Sequence, residues 1–151
     1  WNDHPRFQNK SQQIKRHEIL MSYITLLHSN IRWALIAVAL TTVVIYILCS
    51  VKIIRHSRFT RLYSVAFAGI LDLQTVLGIT LLTLKILNTG PSYIRFALPH
   101  TISMLLAVAT AHMAARWSKS PDKVVRTLIA TLAASLLILS GIREITGQWL
   151  G

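Results

Sequence analysis

The sequence has few acidic residues, glycines, prolines and cysteines. Its 151 residues include five Asp and Glu against sixteen Lys and Arg, with six glycines, four prolines and one cysteine. Cys49 lies in an apolar block and cannot form an internal disulfide, so it does not indicate a redox compartment. A soluble protein this basic would suggest a nucleic-acid partner. The basic residues instead cluster between apolar blocks, as they do in loops next to anionic lipid, and we expect no nucleic-acid partner.

Hydrophobic residues make up 53% of the chain and are gathered into four blocks. Each block is close to the roughly 20 residues that a membrane-spanning helix needs. The predicted spans cover about residues 31–51, 63–86, 94–116 and 124–142. Gly90-Pro91 and Ser120-Pro121 are turn signals in short connections. The sequence therefore predicts an all-α integral membrane protein, an up-down-up-down four-helix bundle in contact with lipid.

Residues 1–20 are polar and lack the apolar core of a signal peptide. We expect them to form a polar N-terminal extension of a transmembrane domain at residues 21–151. Three origins stay open for this segment: a genuine extension, a processed product or a mis-assigned start, since Met21 stands where the apolar pattern begins.

Basic residues are distributed unevenly between the two ends of the predicted bundle. The first and third connections carry most of them: Lys52, Arg55, Arg58, Arg61, Arg116, Lys119, Lys123 and Arg126. The opposite end carries Lys85, Arg95 and Arg143, together with the basic residues of the N-terminal segment. The positive-inside rule then predicts that both termini lie outside the cytoplasm.

Ionisable residues inside membrane spans are costly, so each is a functional hypothesis. His28 and Arg32 enter the first span, and His100 lies about 9 Å into the third from the same side. Gly78 on the second span falls at a similar depth. Two imidazoles facing an iron, with a small residue where a porphyrin approaches a helix, would form a haem site. The alternative is an interfacial histidine and an arginine that snorkels to the headgroups.

Arg32 is predicted to pair with a haem propionate or with Glu144 at the end of the fourth span. Asp72 lies near the middle of the second span, where a charge is expensive, and two interpretations stay open for it. The favoured one is a hydrogen bond with a hydroxyl such as that of Thr110 or Thr131. The other is a contact with His112 that serves a proton path.

Two stretches resemble a known family. "LDLQTVLGITLL" and "LPHTISMLLAVATAHMA" are similar to the Gln-x-x-Leu-Gly helix and the following histidine-bearing helix of a haem A synthase half-bundle. Gln74, Leu77 and Gly78 match the first motif, and His100 or His112 matches the second. The resemblance implies a four-helix half that holds haem between two histidines, with His28 as the other ligand. "LHS..RW" and "DLQ..LG" also resemble small bacterial four-span proteins.

The sequence contains no nucleophile motif, metal cluster or phosphate loop, so we do not expect an enzyme. Our first hypothesis is a b-type cytochrome-like subunit with haem b bound by His28 and His100. It would transfer electrons within a larger respiratory or photosynthetic membrane complex, with a quinone as a candidate partner. The alternative hypothesis is a structural or assembly subunit of such a complex, without a cofactor.

Overall fold

The structure is a computed structural model that describes residues 4–147, apart from the side chains of residues 4–11, 14 and 146. It consists of α1 (His4–Ser50), α2 (Arg58–Thr89), α3 (Ser92–Trp117), a 3₁₀ turn (Pro121–Lys123) and α4 (Val124–Thr146). The described part of the chain contains no strand. The predicted all-α four-helix fold is confirmed.

Each helix packs on its neighbours in the chain, and α1 also packs on α4, which closes the bundle. The contact between α3 and α4 is the most extensive of these. Both helices carry buried alanines with 0–5% exposure, namely Ala107, Ala111, Ala114, Ala130 and Ala134. Small side chains let two helix backbones approach closely, which is the main source of helix association in lipid.

The first and third connections lie at the same end of the bundle. His56, between α1 and α2, places its Nε2 at 2.9 Å from the carbonyl oxygen of Ser118, just after α3. At this end Ser57 caps α2 through a reciprocal pair of bonds with Thr60. Gly90, at the opposite end of the bundle, has φ +87 and terminates α2. Pro121, in the third connection, begins the turn into α4. Both turn signals are confirmed.

All four helices are long and apolar enough to cross a membrane. Only 22% to 39% of each apolar window is buried in the bundle, so most of its surface faces outward, as lipid contact requires. These features are those of a multi-pass membrane protein.

Helix α1 runs without interruption from His4, well before the predicted first span. The backbone therefore does not mark the predicted division between residues 1–20 and the membrane domain, which stays a prediction. Residues 1–3 of the predicted extension lie outside the described residues.

Candidate functional site

His28 of α1 and His100 of α3 line the same cavity, as their matched depths predicted. The cavity has a volume of about 240 Å³, and Gln74 and Gly78 of α2 also line it. Both histidines are half-buried. A smaller adjoining cavity of about 100 Å³ is bounded by the two histidines, Gln74 and Arg32. The structure thus brings all four residues predicted for a haem site to one region of the bundle.

His100 is oriented by the fourth helix. Its Nδ1 lies 2.7 Å from the carbonyl oxygen of Gly141, so Nδ1 carries the proton and donates it. This leaves a lone pair on Nε2, the ring nitrogen available to a metal. Histidines that bind metals commonly donate their other ring nitrogen to a carbonyl, which fixes the tautomer and the plane of the ring.

Gly141 provides the space for this arrangement. A Cβ atom at this position would lie 3.2 Å from His100 Nδ1 and 3.4 Å from Met104 Sδ. Any larger residue would therefore press on the imidazole at the atom that makes the hydrogen bond. Gly141 allows α3 and α4 to approach closely enough for His100 to reach a backbone carbonyl.

His28 is oriented by the second helix. The amide nitrogen of Gln74 donates to the backbone carbonyl of His28 at 3.0 Å and lies 3.3 Å from its Nε2. The other ring nitrogen, Nδ1, is buried and has no hydrogen-bond partner among the described residues. Gln74 itself is 2% exposed. An amide buried this deeply in a membrane helix holds the His28 ring in one position.

Gly78 lies directly beneath the His28 ring. A Cβ atom there would be 3.3 Å from His28 Cε1. The glycine therefore accommodates an imidazole from α1, and a contact between a porphyrin and Gly78 stays a prediction.

Polar and cationic groups border the outer part of the larger cavity, whose walls are otherwise mostly apolar. Lys85 near the end of α2 and Tyr93 near the start of α3 line it, together with Thr25.

Glu144 accepts hydrogen bonds from Ser103 at 3.1 and 3.2 Å. Its predicted pairing with Arg32 stays a prediction.

The favoured interpretation of Asp72 is wrong. Its two carboxylate oxygens lie 3.0 and 3.1 Å from His112 Nε2. The hydroxyls of Thr110 and Thr131 instead donate to the carbonyls of Leu106 and Thr127, one turn back in their own helices. Threonine in a helix can satisfy its hydroxyl locally, which leaves the carboxylate to the histidine on the neighbouring helix.

Sequence reasoning missed the role of Gly141 and assigned none to Gln74. Both carried a signal. Gln74 is an amide inside an apolar span, and Gly141 is a glycine inside an apolar helix, where close packing is the usual reason for it. What the sequence did not provide was the rotation of each helix, which decides the side chain that each residue meets.

The arrangement offers two imidazoles on separate helices, each oriented by a third group, beside a largely apolar cavity with cations near it. Such a site suits a flat, mostly apolar ligand that carries a metal and acidic groups. Comparison with protein-family models, curated proteins and solved structures finds no match for this chain.

Proposed function

We propose that this protein is a haem b-binding subunit that transfers electrons within a larger respiratory or photosynthetic membrane complex. The observation that carries the proposal is the placement of His28 and His100 on one cavity, from two different helices. The resemblance to one half of a haem A synthase supports a haem held between two histidines, with His28 as one ligand and His100 or His112 as the other. It concerns the haem-holding half-bundle and not the synthesis of haem A.

The residues present fit a haem. The donor set is two imidazoles, which is a common axial pair for an electron-transfer haem iron, and the hydrogen bond to Gly141 gives His100 the tautomer that ligation needs. The buried Nδ1 of His28, which has no partner among the described residues, is a polar atom that another group entering the cavity would satisfy. Haem, when bound, supplies a one-electron redox couple.

The protein's own residues then have separate tasks. Gln74 positions His28, because its amide donates to the His28 carbonyl as well as lying against Nε2. Gly141 positions His100. Arg32, beside the smaller cavity, and Lys85, beside the larger one, would supply positive charge for the propionates of a bound haem. The mostly apolar walls would limit the access of water to a bound haem, which would influence its reduction potential.

The test is an absorption spectrum of the purified full-length protein, reduced minus oxidised, with haem measured per chain. We expect the paired bands of a six-coordinate b-type haem. His28→Ala and His100→Ala should each remove most of the haem, because each deletes one of the two axial bonds. His112→Ala is the matched control, since this histidine also lies in a membrane helix but does not border the cavity.

A haem-free protein that folds and inserts normally would overturn the haem proposal. It would favour the alternative, a structural or assembly subunit without a cofactor. Loss of haem in the His112 variant with retention in the His28 variant would place the ligands elsewhere. In either role we propose a bacterial inner membrane location with both termini outside the cytoplasm. For the haem-binding role we also propose a quinone as a candidate electron partner.

A further inference from the structure

Asp72 and His112 form an ion pair on the outside of the bundle. The two oxygens of Asp72 on α2 both contact His112 Nε2 on α3, at 3.0 and 3.1 Å. The side chains are 45% and 55% exposed, respectively. The pair therefore bridges two helices at the surface, whereas the haem ligands point into a cavity.

The pair lies within the apolar band of this surface. On α2, exposed leucines at positions 62 and 87 lie on either side of Asp72, about 15 and 22 Å away along the helix. On α3, the exposed Leu105 lies two turns before His112 and the exposed Arg116 one turn after it, so the pair lies in the half of the apolar band nearer the third connection. An ionised or hydrogen-bonded polar pair that faces hydrocarbon is costly and is normally covered by protein or water. The α2–α3 face, defined by Gly69, Asp72, Ala109 and His112, thus needs a polar cover.

We propose that the α2–α3 face is a homodimer interface, covered by the same face of a second copy of this chain. The pair is chemically self-complementary. His112 Nδ1 makes no hydrogen bond within the described part of the chain, and each carboxylate oxygen of Asp72 has a further lone pair. Around a two-fold axis, the His112 of one copy meets the Asp72 of the other, and the reverse contact forms by symmetry.

Small residues next to the pair permit the close approach that such contacts need. Gly69 and Ala109 lie one turn before Asp72 and His112, on the same faces of their helices, and both are exposed. A Cβ atom at Gly69 would meet no atom within 4 Å, so the space beside it is open. A helix of a second copy can therefore pack against this backbone. A different protein would need an acceptor for His112 and a donor for Asp72 at matching positions. A second copy of this chain provides both.

The experiment measures energy transfer between copies in a bilayer. Cys49→Ala/Ser57→Cys protein is labelled separately with donor and acceptor dyes and reconstituted together in phosphatidylcholine–phosphatidylglycerol vesicles at increasing protein-to-lipid ratio. We expect saturable transfer with a dimer stoichiometry. Asp72→Leu/His112→Leu removes both polar groups and should weaken association by about tenfold or more, since it deletes two interhelical contacts per dimer.

Two further variants separate the interface from general folding. Gly69→Leu leaves the ion pair in place but fills the open space, and it should also weaken association. The exchange Asp72→His/His112→Asp retains one acid and one histidine and should dimerise like the parent. Thr41→Leu, at an exposed position on α1, is the control and should have no effect.

If energy transfer in the parent protein matched the value for randomly distributed molecules at every protein-to-lipid ratio, the proposal would be overturned. The α2–α3 face would then have to be covered by something other than a second copy. Equal transfer in the parent and in the double leucine variant would also overturn it. Neither readout depends on haem, so the haem proposal stands or falls separately.

Discussion

At the residue scale, the two histidines of the cavity are held by different kinds of group. His100 is anchored to a backbone carbonyl of α4, and His28 to the side-chain amide of Gln74. A backbone carbonyl is fixed by its helix, whereas a side-chain amide can be replaced by mutation without disturbing the backbone. In the His28 half of the site, the orienting group itself can therefore be removed by a single substitution.

Gln74→Leu should weaken haem binding by about 10- to 100-fold, the usual effect of removing a group that orients a metal ligand. The haem-free protein should remain as stable as the parent, because the leucine also removes a buried amide oxygen that has no partner among the described residues. Haem titration gives the first quantity and thermal unfolding in detergent the second. A loss of stability that matches the loss of haem would indicate a purely structural role.

Gly141→Ala should lower haem occupancy and Gly141→Leu should abolish it. The added Cβ would stand 3.2 Å from His100 Nδ1, whose 2.7 Å bond to the Gly141 carbonyl leaves little freedom to move. Gly69→Ala is the matched control, since its Cβ would meet no atom within 4 Å. Haem per chain, measured by the pyridine haemochrome spectrum, checks both. Equal occupancy in the Gly141 and Gly69 variants would contradict the proposed role.

At the element scale, polar side chains at helix ends organise the end of the bundle that is predicted to face the cytoplasm. Ser57 and Thr60 form a capping box at the start of α2. The hydroxyl of Tyr46, a residue with no exposed surface, donates to the Thr60 carbonyl at 3.2 Å. The first turn of α2 is thereby linked to α1, and the short connection between the two helices has a defined geometry.

Ser57→Ala should destabilise the bundle by about 1 kcal/mol, the typical cost of losing an N-cap side chain. Ser120→Ala provides the comparison, because Ser120 precedes the 3₁₀ turn without making a side-chain capping bond. Reversible unfolding in mixed micelles measures the difference. If both substitutions had the same small effect, the capping box would contribute nothing in the folded membrane protein.

At the scale of the whole molecule, the distribution of charge predicts how the bundle sits in the membrane. The His56–Ser118 contact confirms that the first and third connections, which carry most of the loop cations, share one end. The positive-inside rule then predicts that this end faces the cytoplasm. The packing of the helices is the same in either orientation, so the direction of insertion depends on the loops.

Single cysteines at Ser57 and Ser92, in a Cys49→Ala background, test this orientation. The two serines are exposed and lie near opposite ends of the bundle. A membrane-impermeant maleimide applied to intact cells should label the cysteine at position 92 and not the one at position 57. Labelling of both after membrane permeabilisation is the control for accessibility, and the reverse pattern in intact cells would show the opposite orientation.

The sequence by itself determined the number, type and order of the membrane helices and the shared depth of His28, His100 and Gly78. The physical reason is that backbone groups in hydrocarbon must be satisfied within each segment, so a long apolar run between polar turns has essentially one solution. Depth then follows from a constant rise per residue.

Only the tertiary structure decided which side chains meet. It paired Asp72 with His112 instead of a threonine, turned Gln74 onto His28 and brought Gly141 against His100. Those outcomes depend on the rotation of each helix about its axis. The small residues between α3 and α4 set how closely those helices approach and therefore that rotation. Such packing depends on all four helices at once, and no single segment of the sequence contains it.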